Sequence, residues 1–231
     1  MEPSIKPTLS KWADHEKPRE RLFSQGASVL SDAELLGILF RSGLPGKDAI
    51  QLSRELLIQF GSLRKLLAAS QTQLLKTRGL GPAKISSLMA CQEIAKRILR
   101  ENVIGAPILC DPQMVMEYLY LSMRDRTTEV FKMIYLDKGN KVLYEEDLFE
   151  GTIDQTVVHV REVVKSALER HAAAVILVHN HPSGRTQPSI EDRAITGKIK
   201  TALATVGIQL LDHFIIGEGQ FFSFKEHGLI S

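Results

Sequence analysis

From Ser31 onward, the first hundred residues repeat apolar positions three and four apart, the period of a helix with one buried face. Ser31-Asp-Ala-Glu34 has the Ser-x-x-Glu form of a capping box and opens the run Leu35, Leu36, Ile38, Leu39. Asp48 to Phe60 keeps helical spacing and stops at Gly61, a residue suited to the left-handed backbone that ends helices. Leu63 to Ala69 predicts one or two more turns. Pro82 stands where a helix reaching about Arg100 would begin, because a first-turn N–H has no helical partner to lose. No convincing strand pattern interrupts this stretch, so residues 1–102 predict an all-α domain.

The pattern changes after the breaker-rich segment Asn102-Val-Ile-Gly-Ala-Pro107. Asp111, followed by Pro112, predicts the cap of a helix ending near Arg124. Val130 to Leu136 and Lys141 to Phe149 read as two strands of a hairpin about the turn Asp137-Lys-Gly-Asn140. Val157, Val160, Val163, Val164, Ala167 and Leu168 trace a helical stripe. Ala172 to Val178 is continuously apolar, as in a strand covered on both faces. A helix from Ser189 to about Val206 and strands Ile208–Ile216 and Phe221–Phe224, joined by the turn Gly217-Glu-Gly-Gln220, complete the chain. Strands alternating with helices predict an α/β domain with a central mixed sheet over residues 103–231.

Composition narrows the class of protein. Hydrophobic residues make up 44% and charged residues 24%, the balance of a water-soluble globular chain. No apolar run reaches the ~18 residues of a membrane helix, and the N-terminus lacks a signal-peptide stretch. Two cysteines, Cys91 and Cys110, are too few for a Cys-rich metal site and suggest no disulfide scaffold, so a cytoplasmic location and no membrane partner are expected. The net charge of +2 hides an asymmetry. Residues 1–102 carry 16 Lys/Arg against 10 Asp/Glu, whereas residues 103–231 carry 13 against 17. The basic half is the place to look for polyanion contacts.

The chemistry concentrates in Val178-His-Asn-His-Pro-Ser-Gly184 and the following Pro188-Ser-Ile-Glu-Asp192. His179 and His181 lie two apart at the end of a buried strand, so both imidazoles leave the same face, a spacing that suits two ligands of one ion. Asp192 falls in the first turn of the next helix, where its carboxylate can swing back toward them. Two histidines and one carboxylate leave a fourth tetrahedral position for water, the donor set of catalytic zinc. Ser189-x-x-Asp192 is at the same time a capping box, and one serine can cap the helix and serve a site. Asp212 and His213 are candidates to stand behind the metal ligands, but a lone Asp-His pair on a strand reads as structural and stays outside the site.

His179-x-His181-x7-Ser189-x2-Asp192 resembles the motif of the MPN/JAMM metallopeptidases. Val178–Gly184, Leu211-Asp-His-Phe-Ile-Ile-Gly217, Pro18-Arg-Glu-Arg-Leu22 and Leu30-Ser-Asp-Ala-Glu-Leu-Leu36 together resemble the bacterial RadC family over nearly the whole chain. The resemblance implies a JAMM/MPN-type α/β domain, zinc on His179, His181 and Asp192, and an upstream glutamate as acid/base. Glu129 fits that last place, since it follows a helix and begins a strand; Glu150 is the competing choice. It also implies hydrolysis of an amide, including an isopeptide, with Ser189 donating a hydrogen bond to the developing oxyanion.

In the basic half, Leu75-Lys-Thr-Arg-Gly79-Leu80-Gly81-Pro82-Ala83-Lys84-Ile85 resembles a helix-hairpin-helix element, and Arg41 to Ala49 looks like a degenerate second copy. In such an element Arg78, Gly79, Gly81 and Lys84 would hold the phosphates of duplex DNA. Sparse aromatics in this half argue against single-strand stacking. Three functions therefore stand side by side. The first is a zinc hydrolase of peptidase type. The second is a DNA-binding, repair-associated protein with a non-catalytic metal. The third is a metal-dependent nuclease, for which a two-metal site would want more carboxylates. A zinc nucleobase deaminase is disfavoured by the missing Pro-Cys-x-x-Cys.

Overall fold

The structure, a computed structural model, describes residues 12–106, 112–151 and 158–230. Contacts divide the chain into two compact units at Ile94/Ala95.

In the N-terminal unit, the helices α1 (Pro18–Gln25), α2 (Asp32–Phe40), α3 (Ala49–Phe60), α4 (Leu63–Ala68) and α5 (Gln71–Leu75) precede α6 (Pro82–Val103), inside which the division falls. The predicted capping box of Ser31 and Glu34 forms at the start of α2. A second one, Asp48 with Gln51, starts α3, and Gly61 ends that helix at φ 85°. Their apolar faces meet in one core containing Leu36, Phe40, Leu52, Leu56, Leu66, Leu74, Leu80 and Leu88. Two glycine turns, after α2 and after α5, close against this core. A Cβ on Gly79, where φ is +93°, would sit 2.6 Å from Leu52 Cδ1, and one on Gly43 would meet the Lys47 carbonyl at 2.0 Å. Only glycine admits such approaches.

The segment beyond Arg100 is not the free linker that its breakers predict. Helix α6 continues to Val103, which is buried in the core of the C-terminal unit, because an apolar side chain there gains more from burial than the helix end loses. The predicted Asp111 cap and the Val157 end of the helical stripe lie outside the described residues.

The C-terminal unit contains α7 (Pro112–Met123), β1 (Glu129–Leu136), β2 (Val142–Gly151), α8 (Val160–Glu169), β3 (Ala174–Asn180), α9 (Ile190–Thr205), β4 (Gln209–Ile216) and β5 (Phe221–Ser223). The strands form one mixed sheet in the order β2-β1-β3-β4-β5. Its single parallel pair, β3 with β4, is connected through α9. The hairpin of β1 and β2 forms as expected, with Asn140 left-handed at φ 58° in its turn.

Every residue of β3 is buried, which is why the strand reads as an unbroken apolar run. Its alternate side chains serve two layers. Val175 and Leu177 pack with Phe131, Met133, Val163 of α8 and Ile199 and Leu203 of α9. Ala174, Ile176 and Val178 pack with Ile134 and with Leu119 and Met123 of α7. Lys132 is the charged residue among the buried positions of β1, and its ammonium is paired with Glu145 (3.2 Å) and Asp147 (2.8 Å) of β2. No helix among the described residues is long and apolar enough to cross a membrane.

Candidate metal centre

The two-residue period of β3 carries the Val175 and Leu177 face on to His179, and His181 follows just past the strand end. Strand β1 runs antiparallel alongside, with Phe131 opposite His179, so Glu129 at its first residue lies on this same face. Helix α9 begins nearby, and Ser189 caps it with a full capping box. The Ser189 hydroxyl accepts the Asp192 N–H (3.0 Å), while Ser189 N–H and Oγ–H both donate to Asp192 Oδ2 (2.7 Å each). The cap aims the carboxylate away from the helix and into the space between the imidazoles.

Side-chain donor atoms of Glu129, His179, His181 and Asp192 all lie within 4.8 Å of one another. His179 Nε2 is 3.0 Å from His181 Nε2 and 3.3 Å from Asp192 Oδ1, and His181 Nε2 is 3.5 Å from Asp192 Oδ2. The ring nitrogens on the far sides have their own partners. His181 Nδ1–H donates to the Arg185 carbonyl at 2.9 Å, and His179 Nδ1 meets His213 Nε2 at 2.8 Å. In the neutral tautomer that the Arg185 carbonyl selects, His181 turns its Nε2 lone pair toward a carboxylate and a second imidazole. A divalent cation satisfies that convergence of acceptor atoms, so the donor set fits a metal ion.

The electrostatics agree. Burial by itself would push the Asp192 carboxyl up, but the neighbouring imidazoles of His179 and His181, and then the Ser189 hydrogen bond, hold it well below the ordinary carboxylate range. Burial pulls His181 down, yet the Asp192 hydrogen bond and charge leave it above the ordinary imidazole value. His213, fully buried, is held neutral chiefly by desolvation, with the neighbouring His179 adding to the effect.

The two glutamates weighed for the acid/base stand apart in space. Glu150 pairs across the hairpin with Val130 and so shares the opposite face of the sheet; it is exposed and accepts a hydrogen bond from Thr128 Oγ1 (2.8 Å). Glu129 is half-buried within the cluster.

Two residues near the centre, Asn180 and Thr196, escaped the sequence reading. Asn180, between the histidines, is buried; its Oδ1 accepts Val130 N–H at 2.9 Å and its Nδ2 donates to the Thr128 carbonyl at 3.0 Å. The amide thus takes the place of a peptide group beyond the last paired residues and holds the backbone on both sides of Glu129. An asparagine buried between two candidate ligands was the available signal, because buried amides need partners. His213, read as outside the site, touches His179 instead. Thr196, one turn after Asp192 on the buried stripe of α9, bonds His213 Nδ1 at 2.7 Å. The loop after His181 is pinned as well. Glu218 N–H donates to the Gly184 carbonyl (2.9 Å), and a Cβ on Gly217 would lie 2.4 Å from that same oxygen.

In the helical unit, Arg78 and Gly81 are exposed, but Lys84 faces inward. Its ammonium donates to the carbonyls of Gly79 (3.1 Å) and Gly43 (3.4 Å), tying the two glycine turns together.

A sheet whose central strand ends in two histidines, with a carboxylate from the next helix and a glutamate from the adjacent strand, defines a domain of the JAB/MPN class. The profile of the RadC-like JAB domain matches residues 109–229, and that of the UPF0758 N-terminal domain matches residues 9–86. The chain belongs to this RadC-like UPF0758 family. The UPF0758 protein of Nitrosococcus oceani is 49% identical over 222 residues, covering 96% of this chain and 99% of its own length. That of Pseudomonas fluorescens is 50% identical over 221 residues and that of Shewanella frigidimarina 47% over 222, with the same coverage. JAB/MPN domains commonly bind zinc, and their members are often metallohydrolases.

Proposed function

We propose that the C-terminal unit is a zinc-dependent hydrolase of metallopeptidase type that cleaves an amide or isopeptide bond. The observation that carries this reading is the gathering of Glu129 with His179, His181 and Asp192 inside 4.8 Å. That set comprises three ligands and one carboxylate left for proton transfer. Zinc in such a set supplies a Lewis acid and a water acidified toward pH ~7. Glu129 then accepts the proton of the attacking water and returns it to the leaving amine. Ser189 donates to the carbonyl oxygen as charge develops there. Rotating its hydroxyl gives up one bond to Asp192 Oδ2, which keeps the Ser189 N–H. One such donor lowers a barrier by about 3 kcal/mol. With only two carboxylates in the cluster among the described residues, a two-metal nuclease is disfavoured.

The test is incubation of the zinc-loaded protein with peptide and lysine-isopeptide libraries, reading new termini by mass spectrometry. Cleavage that requires zinc and disappears in Glu129→Gln supports the reading. Cleavage that persists in Glu129→Gln, or none at all, rejects it.

Protons and zinc compete for His181 Nε2. Because Asp192 raises His181 above its ordinary value, zinc affinity falls as pH drops through that raised value, starting above pH ~6.5. Calorimetric titrations between pH ~5 and ~8 should show proton release growing toward the acid end; affinity independent of pH would contradict it.

A second reading, duplex DNA held by the helical unit, rests on the two glycine turns and the exposed Arg78 beside the start of α6. Arg78→Glu should weaken duplex binding several-fold and flatten its salt dependence by about one charge. Fluorescence anisotropy reads both. Lys84 is the wrong residue for this test, since its substitution breaks an internal tie.

A further inference from the structure

Behind the first histidine, a line of hydrogen bonds leaves the metal centre and returns to it. Thr196 Oγ1 lies 2.5 Å from the Asp192 carbonyl oxygen, which can only accept, so the threonine hydroxyl donates there. Its oxygen is then left to accept, and the group facing it at 2.7 Å is His213 Nδ1, which must carry a hydrogen. In the neutral ring His213 Nε2 is bare and accepts from His179 Nδ1–H at 2.8 Å. That leaves His179 Nε2 without a hydrogen on the side where Asp192 and His181 wait. One backbone carbonyl therefore sets the tautomer of two imidazoles in succession.

We propose that His213 and Thr196 are positioning residues of the metal centre, fixing the His179 tautomer and ring orientation and joining it to the Asp192 helix. This inference rests on the metal-centre reading above. A threonine bonded to the carbonyl four residues back is common in helices and by itself means nothing. The second bond, to a completely buried histidine that touches a ligand, gives this one its role. The neighbours exclude other uses for His213. Its ring stacks on Phe224 (centroids 4.7 Å apart) and meets the edge of Phe131 (5.6 Å), so both of its nitrogens are spent on Thr196 and His179. The line also couples elements of distant sequence. His179 comes from β3, His213 from β4, and Thr196 from α9, which carries Asp192.

The test uses the full chain stripped of metal and titrated with zinc against a chromophoric chelator at fixed pH. His213→Phe keeps the ring packing and removes the acceptor; Thr196→Val keeps the volume and removes the hydroxyl; Thr196→Ser restores it. We expect zinc Kd to weaken ~10- to 100-fold in His213→Phe, by a smaller factor in Thr196→Val, and to recover in Thr196→Ser. Melting curves of the metal-free variants identify any that fail to fold, and the Thr196 pair decides the matter if His213→Phe does. A long-range proton–nitrogen spectrum of the wild-type protein should show His213 protonated on Nδ1 alone. Wild-type zinc binding with unchanged Kd in Thr196→Val and in a folded His213→Phe overturns this inference alone, as does an Nε2–H tautomer of His213. Wild-type protein that takes up no zinc overturns the metal-centre reading and this inference with it.

Discussion

Glu129→Gln should retain its zinc and lose turnover by ~10²- to 10⁴-fold, the span that a positioned general base contributes. The substitution keeps the volume and hydrogen-bonding reach of the side chain and removes only the ability to take a proton. His179, His181 and Asp192 are untouched, so metal content measured by atomic absorption should stay near one per chain. Glu150→Gln is the matched control. Its carboxylate lies on the other face of the hairpin and bonds Thr128, so its loss should leave turnover unchanged. Asn180→Ala should resemble Glu129→Gln in part, because it releases the Val130 N–H and Thr128 carbonyl that flank Glu129. An active Glu129→Gln enzyme, or an inactive Glu150→Gln one, would show that the acid/base has been assigned to the wrong strand.

The second large effect concerns the metal itself. His179→Ala with His181→Ala should reduce bound zinc from near one per chain to none and uncouple stability from zinc. In the wild-type chain, free zinc at ~100 times Kd adds about 2.7 kcal/mol to stability, a rise of roughly 5–10 °C in Tm for a domain of this size. The double variant should melt at one temperature with zinc or with chelator. Its own Tm should lie below that of the metal-free wild type. His179 is fully enclosed, and removing it leaves a cavity and an unpaired His213 nitrogen. Calorimetric scans with and without zinc measure both shifts. Full zinc uptake by the double variant would refute the ligand assignment.

Helix α3, the hairpin of β1 and β2, and the buried strand β3 were legible before any coordinates, because each follows from a local rule. Asp48 and Gly61 bracket a helical period, Asp137 to Asn140 supply turn residues, and Ala174 to Val178 admit no polar face. The short helix α5 was not read. Five residues give too few turns for a period to emerge, and Leu74 alone is buried. The end of α6 was misjudged for the opposite reason. Gly105 and Pro107 signal a break, but Val103 is recruited into a core whose other members lie far along the chain.

The sequence by itself brought together the candidate ligand triplet. Strand alternation puts His179 and His181 on one face, and the capping box of Ser189 fixes where Asp192 points, both through contacts within a few residues. The order of helix, glutamate and strand already favoured Glu129 over Glu150; tertiary structure alone decided what the asparagine between the histidines holds, and that His213 and Thr196 stand behind the first histidine. Those choices depend on the pairing register of β1 with β3 and β4 with β3, and on the seating of α9 against the sheet. Such long-range geometry is set by how whole faces pack, and no short stretch of residues carries it.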